Sequence, residues 1–290
     1  MKSKKATNIF DKTMNIIFTL CGFVAVVFVI VITGFVVVSG TPAIGKIGIL
    51  DFLFGTIWAP TAATSSYGIL PFILTSVYGC IGAVIIGVPL GLMCAVFVAK
   101  FASKRVSSIV TTSIDLLSGI PSVVYGLVGM IIIVPTVRNA FNLPDGANLF
   151  CAIIVLAVMI LPSVISVSET ALKSVPKEYE EASLALGATY TETVFKVSVP
   201  AAKSGILTSV VLGIGRSIGE AMAVMMVSGN VANMPGLFKS VRFLTTAVAS
   251  EMSYSSGLQR EALFSIALVL FVFIMIINIL LNTVVKKDKE

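Results

Sequence analysis

Arg216 and Glu220 interrupt an otherwise apolar run, GIGRSIGEAMAVMMV. A charge near the centre of a bilayer costs roughly 2.5–3.5 kcal/mol on insertion scales, so its presence there needs a physical reason. Counted from Ser204, Arg216 lies ~18 Å along a helix, deep in a membrane span. If the helix continues, Glu220 follows one turn later on the same face and can pair with it. Arg before Glu is the weaker order for such a pair, so mutual stabilisation alone explains little. One reading is an ion pair that fixes helix packing. The other is a guanidinium that meets an anion in a water-filled path, because its planar fork matches phosphate oxygens through paired hydrogen bonds. Glu220 would then hold Arg216 while the path is empty and repel wrong ions.

A polar stretch precedes that run, EYEEASLALGATYTETVFKVSVP, from Glu178 to Pro200. Glu178, Glu180 and Glu181 sit where a helix N-terminus favours negative charge. Gly187 supplies a stop or a bend. A second short helix, Tyr190 to Val197, is expected to end before Pro200. Two short helices bent at a glycine make an L-shaped knob for a partner; the plainer reading is an amphipathic loop. Gly213, Gly215 and Gly219 do not form a dinucleotide fingerprint, since no strand precedes them. No GxxxxGK[ST] stretch occurs, so the chain has no evident means of hydrolysing ATP. Histidine is absent, which excludes His-based metal sites and His acid–base catalysis. Cys21, Cys80, Cys94 and Cys151 lie in apolar runs without ligand-like spacing and read as small core residues. No metal site and no nucleic-acid contact is expected.

The elements that must position these residues follow from composition. The chain has 290 residues, 57% of them hydrophobic and 12% charged. Runs of about 20 apolar residues match the hydrocarbon thickness of a bilayer. The fold class expected is all-α: a polytopic integral membrane protein with six transmembrane helices and a single transmembrane domain over 1–290. The spans are placed at about 14–38, 69–98, 109–134, 149–168, 204–227 and 262–285, with the polar loop at 169–203. Span 1 is too long for the apolar region of a signal peptide and is read as retained. Pro121 and Pro162 are expected to kink their spans. Gly119, Gly126 and Gly129 are expected to let helices approach closely. Trp58 reads as an interfacial anchor. Asp115 marks either the path or the boundary of span 3 and is not counted as a site.

Basic residues divide unevenly between the two sets of flanks. One set carries Lys2, Lys4, Lys5, Lys12, Lys100, Lys104, Arg105, Lys173, Lys177, Lys196, Lys203, Lys286, Lys287 and Lys289; the other carries Lys46, Arg138, Lys239, Arg242 and Arg260. The positive-inside rule puts both termini and the 169–203 loop in the cytoplasm, and the Trp58 and Asn230–Arg260 connections outside.

The spacing within the polar loop resembles a family signature. Glu181-Ala182-Ser183, three residues, Gly187, nine residues and Val197-Ser198-Val199-Pro200 are similar to the EAA motif of ABC importer permeases. The motif reads E-A-A, three residues, G, nine residues, I-x-L-P, with Ser183, Val197 and Val199 as conservative departures. Further stretches narrow the resemblance: YGILPF from Tyr67, IPSVVYG from Ile120, GRSIGEAMAVMMVSGN from Gly215 and LTTAVASEM from Leu244. Together with Trp58-Ala59-Pro60 they resemble PstC-type permease subunits of the phosphate importer.

That resemblance implies a type I importer with a MetI-like transmembrane fold, sited in a bacterial or archaeal cell membrane. It implies ATP-driven uptake of inorganic phosphate and a heterodimer with a PstA-type permease. It also implies a PstB-type ATPase dimer that carries the ATP and magnesium, and a PstS-type phosphate-binding protein outside. The chain itself would be no enzyme and hold no cofactor. Glu181, Ala182, Gly187 and Pro200 would dock the ATPase, and Arg216 and Glu220 would line the path. Sulfate or molybdate remains open as the anion. So do a stand-alone anion transporter or channel and a membrane subunit without a path.

Overall fold

Residues 2–287 are described by a computed structural model, and most of them are helical. Lys289, counted above among the basic flanks, lies outside the described residues. The first helix, α1 (Lys2–Ile47), runs well past the apolar stretch 14–38 and continues through Pro42. A proline removes only one helical hydrogen bond, which surrounding structure can absorb. Gly48, at φ 95°, then turns the chain into α2 (Ile49–Phe54). A small antiparallel hairpin follows, β1 (Trp58–Ala59) with β2 (Ser66–Tyr67). The next helix, α3 (Leu70–Val96), widens into a π-type turn at Phe97–Phe101.

Past Ser103, whose side chain accepts from the Val106 N–H, come α4 (Lys104–Ser118), α5 (Ser122–Val128) and, after a second wide turn, α6 (Val134–Ala140). The long helix α7 (Leu149–Lys173) is capped by the Asn148 side chain. The polar loop holds α8 (Lys177–Ala185), α9 (Tyr190–Thr193) and α10 (Val199–Ala201). The chain closes with α11 (Lys203–Gly219), α12 (Met222–Val227), α13 (Leu244–Glu251) and α14 (Gly257–Lys287).

Five stretches among the described residues are long and apolar enough to cross a membrane: Asp11–Ile47, Leu70–Phe101, Ser122–Ala140, Leu149–Lys173 and Gly257–Leu280. A sixth arises if Tyr190–Ala201 and Lys203–Gly219, bent by 68°, count as one. Of these, α7 buries most of its length and the apolar part of α1 almost none. The α3–α7 contact is close because Ile153, Ile160 and Val164 of α7 lie over Gly82, Gly87 and Gly91 of α3. Its outer partner differs: α1 meets α14 through Phe35 against Phe264 and through the Ser265 hydroxyl, which donates to the Gly40 carbonyl at 2.6 Å.

Two expected spans differ in the structure. The stretch 109–134 is not one helix: α4 ends at Gly119 and the apolar helix starts only at Ser122. Pro121 has no N–H to donate and pushes Ile120 out of helical geometry, so the kink becomes a break. Since α4 carries Lys104, Arg105 and Asp115, it is too polar to span. The stretch 204–227 is also divided, since α11 stops at Gly219 and Glu220 is extended (φ −74°, ψ 132°). Pro162, by contrast, sits inside an uninterrupted α7, which continues to Lys173.

Trp58 is buried, not an exposed anchor: its ring packs on Tyr67 and Phe72, and its Nε1–H donates to Glu251 at 3.3 Å. The 230–260 connection is likewise less polar than it reads, because α13 buries Leu244, Thr245, Thr246 and Ala247. Of the three glycines, Gly126 and Gly129 sit tight against Ala223 and Val227 of α12, whereas Gly119 meets only its own turn.

Candidate anion path and docking loop

Arg216 occupies the last turn of α11. Together with Leu212 it faces α4 and α7 across a cavity of about 320 Å³, lined also by Ile114, Asp115, Ser118, Pro162, Ser163, Ser166 and Val167. The break at Pro121 is what brings this about, for it leaves α4 as a separate piece that can lie beside α7. The cavity therefore holds one guanidinium, one carboxylate and three hydroxyls. Arg216 Nε is buried and has no hydrogen-bond partner. An unpaired buried donor is costly, so the Arg216 side chain keeps hydrogen-bonding capacity that no group among the described residues uses.

No ion pair joins Glu220 to Arg216 among the described residues. The helix ends at Gly219, in a segment where Gly213, Gly215 and Gly219 lower helix propensity. Glu220 has other work: its Oε1 accepts from the Ala223 N–H at 3.0 Å, at the start of α12. A carboxylate there satisfies a free N–H and complements the helix dipole. Its backbone carbonyl accepts from the Thr245 hydroxyl at 2.7 Å and so ties the break to α13. Asp115, left aside by sequence reasoning, is the acidic group that lines the cavity with Arg216. Only the polarity of α4 could have signalled it.

The polar loop folds as a bent knob. Gly187, at φ +89°, lies in the left-handed region open to glycine, and Thr189 then caps α9 in a capping box with Glu192. The Ser183 and Thr193 hydroxyls bond at 2.9 Å across the bend. Glu181, Ala182, Gly187 and Pro200 are all exposed, beside exposed Tyr179 and Phe195 and a Leu186 that is 90% exposed.

Glu180 points the other way. Its Oε1 accepts from Lys100 Nζ at 2.5 Å and from the Ser198 hydroxyl at 2.8 Å. Burial alone would raise its pKa, but these two donors and the Lys100 charge outweigh it and hold the carboxyl below its usual range. The Tyr190 hydroxyl donates to the Lys100 carbonyl at 2.6 Å. Sequence reading gave no hint of this cluster, since Lys100 and Glu180 are 80 residues apart. Among the described residues no group of three or more Cys, Asp or Glu could hold a metal.

Comparison with known proteins places these features in context. Residues 87–287 match the family described as "Binding-protein-dependent transport system inner membrane component". The "Probable ABC transporter permease protein YqgH" of Bacillus subtilis is 38% identical over 92% of this chain and 89% of its own length. The "Phosphate transport system permease protein PstC" of Haemophilus influenzae is 33% identical over 83% of this chain and 82% of its own. Among solved structures, a chain of the MetNI methionine ABC transporter in inward-facing conformations superposes with a TM-score of 0.56. It covers 76% of this chain and 94% of that one at 19% identity, a likeness of fold alone.

Proposed function

The chain belongs to the family of binding-protein-dependent transport system inner membrane components, and from that premise we propose that it is the permease subunit of an ATP-driven importer of inorganic phosphate. Membership makes it a multi-pass inner membrane permease rather than an enzyme, without a cofactor of its own, working with a separate ATPase and a binding protein. Phosphate as cargo is supported by the PstC relatives and by one structural observation that carries the reading. This is Arg216, which lines a cavity with three serine hydroxyls and whose buried Nε has no partner among the described residues. A guanidinium in low-dielectric surroundings binds an oxyanion through two parallel hydrogen bonds, and nearby hydroxyls complete its shell.

Asp115, not Glu220, is the group that faces Arg216 while the path is empty. Glu220 acts at one remove, by capping α12 and tying the break after α11 to α13. Glu181, Ala182, Gly187 and Pro200 form the exposed face that docks the ATPase, with the loop and both termini in the cytoplasm, as the basic flanks imply. The partners proposed are a PstA-type permease, a PstB-type ATPase dimer with its ATP and magnesium, and a PstS-type binding protein.

A second cargo deserves a test, because the 38% identical relative is named without a substrate. Arg216 serves any tetrahedral oxyanion, sulfate and molybdate included. The test is uptake by the purified four-component complex in proteoliposomes, with labelled phosphate against competing anions. ATP-dependent phosphate uptake that excess sulfate and molybdate leave unchanged is expected. Uptake of sulfate or molybdate in preference would overturn the cargo, and flux by this chain alone, without the ATPase, would overturn the class.

A further inference from the structure

The two adjacent glutamates of the knob face opposite ways, Glu181 outward and Glu180 inward to the end of α3. The inward contact is well built. The Lys100 and Glu180 side chains are only 10% and 17% exposed, and Ser198 supplies a second donor to the same carboxylate oxygen. Lys100 is engaged twice, its ammonium by α8 and its backbone carbonyl by Tyr190 of α9, whose ring also meets Phe101 edge-on at 5.6 Å. Both arms of the bent knob are therefore tied to one residue of the π-type turn that continues α3.

We propose that Lys100 and Glu180 are positioning residues that transmit displacement of the docking knob to α3, and through its close contact with α7 to the anion path. This inference rests on the reading of the loop as the ATPase-docking element. The chain itself links the knob to α7 at one end and to α11 at the other, but α3 has no covalent connection to it. Movement reaches α3 by non-covalent contact: its packing on α7, the Lys100 cluster and an apolar patch that includes Ala95, Val96 and Val194. Apolar packing resists separation but is non-directional and lets surfaces slide. A short charge-assisted hydrogen bond, sealed from water on most sides, fixes direction as well as distance. An ordinary surface ion pair would do none of this, since two flexible, solvated side chains hold no fixed geometry.

The test uses the assembled complex with the four native cysteines replaced and a spin label at Met93, an exposed position of α3. Binding of ATP with vanadate should change the label's mobility in the parent complex. In Glu180→Gln and Lys100→Met the ATPase should co-purify at parental stoichiometry, yet the nucleotide response at Met93 should vanish. Anion uptake per ATP hydrolysed should then fall by at least about fivefold, the lower end of typical coupling effects. Lys100→Arg should retain both readouts, and the swap Lys100→Glu with Glu180→Lys should restore them. A parental response at Met93 in either single variant overturns the proposal, as does loss of the ATPase from both, which would make the pair part of docking. A nucleotide response at Met93 without phosphate uptake would instead sink the cargo reading and leave this one standing.

Discussion

Arg242 and Arg216 each precede a glutamate within ten residues, and the structure treats them oppositely. Arg242, nine residues before Glu251, bonds that carboxylate through Nη1 and the Asn230 carbonyl through Nε and Nη2, with its guanidinium 5.9 Å from the Phe72 ring centre. Glu251 in turn accepts from Trp58 and Gln259. Arg216, four residues before Glu220, has no such partner, and its Nε is buried unpaired. The first arginine is consumed by structure, joining Asn230 to α13 and, through Glu251, to β1 and α14. The second is left open towards a cavity. Sequence separation misleads here, because an i,i+4 relation matters only if the helix persists. What separates the two arginines is their surroundings: Arg242 is enclosed by its partners, whereas Arg216 lines a cavity and makes no ion pair among the described residues.

That contrast can be broken most readily at Arg242. Arg242→Met should destabilise the assembled protein by about 2–4 kcal/mol, because Glu251 is left half-buried with only neutral donors. Thermal unfolding in detergent measures it, and a change within about 0.5 kcal/mol would place Arg242 among ordinary surface residues. Glu220→Gln should cost less, about 0.3–1 kcal/mol, since a Gln oxygen still accepts from Ala223 but the charge at the α12 N-terminus is gone. Were Glu220 instead the resting partner of Arg216, the same variant would lose most uptake while its stability barely changed.

The partnered carboxylate of Glu180 gives the smallest and most specific effect. Its folded pKa is lowered, so its stabilising contribution is fully present above the ordinary glutamate value of about 4.3 and is lost as pH falls through the lower folded value. The anisotropy of a fluorophore at Leu186 should stay flat from neutral pH down to that ordinary value and drop only below it. A transition above it would mean that Glu180 is not held by Lys100.

Much of this arrangement was legible in the sequence. Apolar runs marked the helices, the spacing from Glu181 to Pro200 marked the bent loop, and Gly187 proved to need the left-handed conformation that only glycine adopts cheaply. The breaks were harder. Pro121 was read as a kink, yet with Gly119 before it and a polar α4 behind, the helix had no reason to resume at once. The stop at Gly219 had no such marker, because glycine density weakens a helix without saying where it ends, and the capping of α12 by Glu220 is decided only once α13 packs nearby. Long-range pairs such as Arg242 with Trp58's partner Glu251, or Lys100 with Glu180, depend on tertiary placement that no local pattern encodes. Asp115 became meaningful only when α4 was seen beside α7.

The most direct measurement of the central claim compares Arg216→Gln with the parent complex in two readouts, thermal unfolding and ATP-driven phosphate uptake. Gln keeps a polar side chain but loses the charge and the fork. The expected result is stability within about 1 kcal/mol of the parent, since no partner is orphaned, together with uptake reduced to background. Uptake at the parental rate, or a loss of stability as large as that of Arg242→Met, would contradict it and return Arg216 to the structural class.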